Sequence, residues 1–147
     1  MNIIKTLNFG KGILNSFNIN NSILDSELLL AKAINRDRKY LILNSKENLN
    51  KKNIKTFFHL IERRKKGEPI AYLINKKEFW NESFYIDNNV LIPRPDTEIL
   101  VEQLLKIFSK ESQVQVLDIG VGSGCILLSL LKERPNFYGT GIDICKK

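Results

Sequence analysis

A glycine-rich run between two apolar segments limits the folds open to this chain more than any other feature. Residues 114–119 (VQVLDI) have the composition of a buried strand, and 120–124 (GVGSG) follow it directly. A strongly apolar helix is predicted over 125–134, where a proline stops it. A second strand over 137–142 leads into Asp143. A strand, a glycine loop, a helix, a strand and an acid in this order predict the first unit of a nucleotide-type α/β sheet.

The residue types in this unit indicate an adenosyl ligand, with a purely structural turn as the alternative. Glycines let the backbone approach a ligand closely, and a helix start offers free N–H groups. Asp143 lies 19 residues after Gly124, where a carboxylate can accept hydrogen bonds from both ribose hydroxyls. No Lys-Ser or Lys-Thr pair follows the glycines, which excludes the phosphate-binding P-loop. The third glycine of the dinucleotide pattern would fall at Cys125, so Asp118 and the GxGxG spacing favour S-adenosylmethionine.

Residues 1–73 have helical periodicity and predict a small helical bundle. A weak helical pattern over 3–17 is interrupted near its glycines, and a short helix is predicted over 36–43. Between them, Ser22 and Asp25 have the spacing of a capping box, in which each side chain satisfies a free backbone N–H. No residue in this bundle has a pattern typical of reaction chemistry.

The longest of these helices begins after Asn50 and has one apolar face. Four apolar residues recur at positions i, i+3, i+4 and i+7: Ile54, Phe57, Phe58 and Ile61. His59 is the only histidine, and it points away from this face, so we expect a solvated surface side chain. Gly67 suits the left-handed residue that follows the end of a helix.

Positive charge is concentrated in the first half of the chain. The formal net charge is +7; residues 1–80 carry 16 basic and 7 acidic residues, whereas 81–147 carry 7 basic and 9 acidic residues. This asymmetry predicts two parts with different surfaces. The basic part can bind nucleic acid or an acidic partner, or its lysines can be solvated residues of helix faces.

The composition favours a globular protein of the cytoplasm. No apolar run approaches the ~18–20 residues that span a bilayer, so we expect no membrane partner. The N-terminus lacks the pattern of a secretory signal. Cys125 and Cys145 have no CxxC spacing and no neighbouring histidine, so they predict neither a metal site nor a disulfide framework. A reducing compartment is the simple inference.

The middle of the chain changes from helical to strand periodicity, and residues 70–92 predict a hairpin or short meander. Four aromatic side chains there are expected to pack rather than to stack on bases: Phe79, Trp80, Phe84 and Tyr85. Pro93 and Pro95 then fix the backbone, and Asp96 or Thr97 can cap a helix that ends near residue 109. We expect the inner side of that helix to carry Leu100, Leu104, Ile107 and Phe108.

Motifs spread over nearly the whole chain resemble those of one methyltransferase family. They are DSELL at 25–29, RR at 63–64 with GEPIA at 67–71, EFW at 78–80, LIPRPDTE at 91–98 and LDIGVGSG at 117–124. With them the chain resembles the HemK/PrmC protein methyltransferases, which modify the glutamine of the GGQ motif in peptide chain release factors. LIPRPDTE is the most specific of these motifs, because general methyltransferases do not carry it.

The resemblance implies an α/β fold in three parts. These are a helical substrate-recruiting domain over 1–73, a β-hairpin linker over 74–93, and the first βαβ part of a Rossmann-like methyltransferase domain over 94–147. It implies S-adenosylmethionine as the cofactor and peptide chain release factors, through their GGQ domain, as partners. The residues that would bind the cofactor are Arg94, Thr97, Asp118, Gly120, Val121, Gly122, Ser123, Gly124 and Asp143. In the family, Asp143 would hold the ribose and Asp118 would support the loop, while Arg94 and Thr97 would lie beside the pocket at the domain junction.

The sequence departs from the family pattern at its end. In the family, an Asn-Pro-Pro-Tyr motif after the fourth strand orients the amide nitrogen of the substrate glutamine, and residues 1–147 contain no such motif. We therefore assign no catalytic residue, and we expect a partial chain that cannot transfer methyl groups alone. Two other functions stay open. One is a non-catalytic module that binds release factors, and the other is a fragment of a nucleic-acid methyltransferase of the Asn-Pro-Pro-Tyr type.

Overall fold

The computed structural model describes residues 1–145 and contains two compact units, Met1–Ile74 and a second unit that begins at Asn75. The predicted division into 1–73, 74–93 and 94–147 stays a prediction. Unit 1 is built from helices: α1 (Ile3–Ser16), α2 (Ser22–Ile34), α3 (Arg38–Leu43), α4 (Lys51–Lys65) and α5 (Ile70–Ile74). Unit 2 contains β1 (Lys77–Phe79), β2 (Glu82–Phe84), a 3-10 helix (Pro95–Thr97), α6 (Glu98–Ile107), β3 (Gln115–Ile119), α7 (Cys125–Glu133) and β4 (Tyr138–Ile142). This mixture of helices and short strands agrees with the α/β class.

The core of unit 1 lies where α1, α2 and α4 meet. Its fully buried side chains include Leu14, Leu29, Phe57 and Ile61. The predicted interruption of α1 is wrong, because the helix continues through Gly10. A Cβ at Gly10 would lie 2.4 Å from Phe57 Cζ, so the glycine lets the Phe57 ring of α4 pack directly against the backbone of α1.

Replacing Gly10 with alanine is expected to destabilise unit 1 by about 1–3 kcal/mol, because the added Cβ forces the buried Phe57 ring to move. Gly12 lies in the same helix, is exposed, and has no atom within 4 Å of the position of a Cβ. Gly12→Ala is therefore the matched control. Because alanine has the higher helix propensity, this substitution should raise the free energy of unfolding by roughly 0.5–1 kcal/mol. Urea unfolding followed by far-UV circular dichroism measures both variants. A Gly10→Ala chain as stable as the control would contradict this packing.

The residues of the predicted capping box make tertiary contacts instead. The N-cap residue of α2 is Asn21, and its side chain forms no capping bond. Ser22 Oγ donates to Asn15 Oδ1, and Asp25 Oδ2 accepts from Arg64 Nε at 2.7 Å. The capping prediction is wrong because Asp25 is buried beside a cation of α4, which is a stronger partner than a neutral backbone N–H.

Unit 2 holds two short sheets. β1 pairs with β2 as an antiparallel hairpin, and β3 pairs with β4 in parallel through the connecting helix α7. The β3–β4 pairs are Gln115 with Tyr138, Val116 with Gly139, Leu117 with Thr140, Asp118 with Gly141, and Ile119 with Ile142. A parallel pair needs a crossover connection, which explains why the apolar helix had to lie between the two strand segments.

One face of the β3–β4 pair is covered by α7. A Cβ on Gly139 would lie 2.8 Å from Leu127 Cδ1 and 2.9 Å from Leu131 Cδ1, so this helix packs tightly on the sheet. On the other face, Leu117 is 59% exposed and Ile119 is 75% exposed. The prediction of β3 as a buried strand is therefore wrong: three of its five residues are exposed, and the other two are only half-buried.

Two further predictions in the middle of the chain need correction. Residues 70–74 form α5 rather than strand, and the hairpin turn lies at Trp80 and Asn81, both of which have positive φ. In α6 the fully buried residue is Val101, whereas Leu100 and Ile107 are exposed. The contact with α7 sets which side of α6 faces inward, and this contact is invisible to periodicity alone.

Candidate functional site

Backbone hydrogen bonds fasten the glycine loop to the end of β4. Gly120 N and Val121 N both donate to Ile142 O, at 2.8 and 3.0 Å. Gly120, Gly122 and Gly124 have φ angles of 81°, 52° and 75°, a left-handed conformation that favours glycine. Gly124 is the N-cap residue of α7. The loop therefore ends at the start of a helix, where the first backbone N–H groups have no partner within the helix.

Asp143 holds the middle of this loop. Its Oδ2 accepts from Gly122 N at 2.8 Å, and its Oδ1 accepts from Cys145 N at 2.9 Å. These two hydrogen bonds lower the pKa of the Asp143 carboxyl, and the bond from Cys145 has the larger effect. An ionised carboxylate has about four acceptor positions, so these bonds leave others for the hydroxyls of a ligand.

A cavity of about 770 Å³ lies beside the loop, within unit 2. Its lining combines residues 120–123, 128, 143 and 145 with residues 83–85, 87 and 89–91. Small-molecule sites typically have volumes of roughly 300–1,000 Å³, and they combine apolar walls with a few polar groups. This cavity has both kinds of lining, since backbone groups and a carboxylate lie alongside Val90, Leu91 and Leu128.

The strand that precedes the loop carries a buried acceptor atom. Asp118 Oδ2 is buried and has no hydrogen-bond partner among residues 1–145. Most buried polar atoms are paired, so an acceptor of this kind can be satisfied by a ligand or by water. A Cβ on Gly120 would meet open space, so the left-handed backbone, rather than crowding, explains the glycine there.

Five of the residues predicted to bind the cofactor line this cavity: Gly120, Val121, Gly122, Ser123 and Asp143. In the described part of the chain the other four lie outside its lining. Arg94 is exposed before the 3-10 helix, and Thr97 lies at the start of α6. Asp118 is in β3, and Gly124 follows the lining residues of the loop. The roles of all nine residues in cofactor binding stay predictions.

The segment after β2 is the part of the cavity that sequence reasoning missed. Phe79 and Phe84 are buried and pack edge to face with their ring centroids 6.2 Å apart, as expected. Tyr85 is instead 69% exposed and lines the cavity, so the prediction that it packs is wrong. Successive side chains of an extended segment point to opposite sides, and this alternation was the available signal.

Comparison with known proteins relates this chain to methyltransferases. Residues 5–74 match the model of the PrmC N-terminal domain. The chain is 38% identical to a bifunctional methyltransferase of Rickettsia bellii, over 97% of this chain and 30% of that protein. It is 36% identical to a release factor glutamine methyltransferase of Caulobacter vibrioides, over 97% of this chain and 50% of that protein. A release factor glutamine methyltransferase of Buchnera aphidicola subsp. Acyrthosiphon pisum is 42% identical, with the same two coverages of 97% and 50%.

The chain spans half or less of the length of the curated relatives it matches, with values between 30% and 50%. Within residues 1–145, every helix is too short or too polar to cross a membrane.

Proposed function

We propose, from the premise that this chain belongs to the HemK/PrmC family, that it provides two parts of a protein-(glutamine-N5) methyltransferase. Unit 1 docks a peptide chain release factor that carries the GGQ glutamine. The glycine loop and Asp143 bind the adenosyl part of S-adenosylmethionine, at the start of a Rossmann-like sheet. We assign this function to the cytoplasm, where translation terminates.

The observation that supports this proposal is the closure of the glycine loop by Asp143 beside a cavity of about 770 Å³. When bound, S-adenosylmethionine supplies a methyl group activated by its sulfonium charge. Asp143 accepts hydrogen bonds from the ribose hydroxyls through the acceptor positions that Gly122 and Cys145 leave open. The left-handed glycines keep side chains away from the ligand. The family resemblance assigns Asp118 of β3 to the support of the loop, although its buried Oδ2 has no partner among the described residues.

Positioning is the contribution that we assign to these residues. The family resemblance also assigns Arg94 and Thr97 to the surroundings of the cofactor, although neither residue lines the cavity. The Asn-Pro-Pro-Tyr motif that orients the glutamine amide in the family is absent from residues 1–147, so no residue of this chain is given a catalytic role.

Isothermal titration calorimetry on the 147-residue chain tests the cofactor part of the proposal. S-adenosylmethionine and S-adenosylhomocysteine are expected to bind with dissociation constants between about 1 µM and 1 mM, the range of typical KM values of enzymes. NAD and ATP should bind about tenfold more weakly or worse. The loop lacks the third glycine of the dinucleotide pattern, which NAD needs, and the P-loop lysine, which ATP needs. Tighter binding of NAD or ATP, or the absence of binding by both adenosyl compounds, would contradict the assignment.

The docking part is tested separately by biolayer interferometry with the immobilised full chain and a purified release factor. We expect saturable binding that an excess of free chain competes away. A release factor that gives no more signal than an unrelated protein of similar charge would contradict the docking role of unit 1.

A further inference from the structure

The acidic side chains of unit 1 are all engaged in internal contacts. Residues 1–74 contain fourteen lysines and arginines and six aspartates and glutamates. The ion pairs are Asp25 with Arg64, Glu27 with Arg38, Glu62 with Lys65, and Glu68 with Arg63. Asp37 accepts from the backbone N–H of Tyr40, and Glu47 accepts from the Tyr40 hydroxyl. The acids are therefore held in place, and the surplus positive charge is carried by side chains that project into solvent.

Much of this surplus lies along one side of α4. Lys51, Lys52, Lys55 and the C-cap residue Lys66 are exposed, and we name these four lysines the α4 basic face. At about 100° per residue they fall within an arc of roughly 100°, and at 1.5 Å per residue they extend over roughly 22 Å. The buried residues of the helix, including Phe57, lie on the opposite side. His59 is exposed within the same arc, as expected from the sequence.

The chemistry of this face suits phosphate groups better than a protein surface. Protein interfaces depend on aromatic, apolar or arginine anchors and are depleted of lysine. No exposed large apolar side chain belongs to α4 in the described part of the chain, and the arginines of this helix are paired with Asp25 and Glu68. Interfaces with nucleic acid are polar and positively charged, and lysines supply much of their contact with phosphates.

We propose that the α4 basic face binds the phosphate backbone of a nucleic acid, without reading its base sequence. The lysines act as separate point charges, and each one that contacts a phosphate releases a condensed counterion. This inference rests on unit 1 alone and does not depend on the proposed methyltransferase function.

Fluorescence anisotropy with the full chain tests the proposal. The probes are a 5′-labelled 16-base-pair RNA duplex and a DNA duplex of the same sequence, titrated between 25 and 200 mM KCl. The variant Lys51→Gln/Lys55→Gln/Lys66→Gln removes three charges from the face and keeps good helix formers. The matched control, Lys11→Gln/Lys39→Gln/Lys110→Gln, removes three charges from elsewhere in the chain. Circular dichroism verifies that both variants are folded.

We expect the face variant to bind the RNA duplex at least tenfold more weakly than the control variant at 50 mM KCl. Its slope of log affinity against log salt should fall by about 2–3, since each phosphate contact contributes about 0.9. Equal binding of RNA and DNA supports recognition of phosphate alone, and tighter binding of RNA supports RNA as the natural source. The proposal is overturned if both variants weaken binding equally, if the wild-type chain fails to bind at 25 mM KCl, or if poly-glutamate displaces the probe as well as unlabelled duplex does.

Discussion

Asp143→Asn is expected to weaken the binding of S-adenosylmethionine by about a hundredfold, because charge-assisted hydrogen bonds to two ribose hydroxyls each contribute roughly tenfold or more. The substitution also disturbs the loop itself. An asparagine has one oxygen, so its NH₂ group must face the N–H of Gly122 or that of Cys145. One of the two hydrogen bonds that Asp143 accepts, that from the loop or that from Cys145, is therefore replaced by a contact between two donors. Isothermal titration calorimetry measures the change.

Glu102→Gln is the matched control for this prediction. Glu102 lies on the exposed side of α6, where it pairs with Lys106, and the substitution removes one negative charge far from the loop in sequence. Its affinity for S-adenosylmethionine should stay within about twofold of the wild-type value, as expected for a surface ion pair. Equal losses in the two variants would show that net charge, rather than the Asp143 contact, governs binding.

The dependence on pH gives a second test of the same carboxylate. Hydrogen bonds in the folded chain lower the pKa of the Asp143 carboxyl. The contribution of the ionised carboxylate to cofactor binding is therefore complete above the ordinary carboxyl pKa, and it is lost as the pH falls through the lowered pKa. The difference in affinity between wild type and Asp143→Asn should therefore be constant from pH 8 to pH 5 and shrink only below about pH 4. A difference that shrinks near pH 6 would point to another group.

Arg64→Met is expected to lower the free energy of unfolding of unit 1 by about 3 kcal/mol, because it leaves the buried carboxylate of Asp25 without its cation. The Asp25 side chain is only 5% exposed. The substitution also removes the bond from Arg64 Nη1 to the backbone carbonyl of Glu68, which closes the C-terminal end of α4. Urea unfolding of the full chain, followed at 222 nm, measures the effect on the helices. Fluorescence of Trp80, the only tryptophan, reports on unit 2 separately.

Two further variants separate the buried charge from the loss of an ion pair as such. Arg38→Met breaks the ion pair between Arg38, whose side chain is 48% exposed, and Glu27, whose side chain is 24% exposed. This substitution should lower the free energy of unfolding by less than about 1 kcal/mol. Adding Asp25→Asn to Arg64→Met removes the unpaired charge and should restore more than half of the lost stability. If the Arg64 and Arg38 variants lose equal stability, burial of Asp25 has no special cost.

Local pattern was sufficient for the site-forming unit. The alternation of a strand, a glycine loop, a helix and a strand predicted the β3–α7–β4 unit to within a residue or two at its boundaries. The spacing of 19 residues between Gly124 and Asp143 predicted a carboxylate that binds ribose hydroxyls, which stays a prediction; the contact of Asp143 with Gly122 was not predicted. The element boundaries depend on the length of one helix and one strand, which short-range periodicity specifies.

Local pattern failed where a side chain had a choice of partners. Ser22 and Asp25 have the spacing of a capping box, yet Asp25 pairs with Arg64, which lies 39 residues away. Glycine at position 10 predicted an interruption of the helix, yet α1 continues there, and the glycine allows Phe57 to approach its backbone. Tyr85 was expected to pack with its aromatic neighbours, but it lines the cavity because it follows the buried Phe84 on the other side of an extended segment.

The sequence by itself determined the type and order of most elements, including the glycine loop between a strand and a helix, because these follow from helix and strand periodicity over a few residues. Only the tertiary structure decided which side of α6 faces inward, which face of β3 stays exposed, and where the lysines of unit 1 lie relative to its paired acids. The physical reason is that burial and ion pairing depend on residues that are distant in the chain. Local spacing contains no information about which of these distant residues will be in contact.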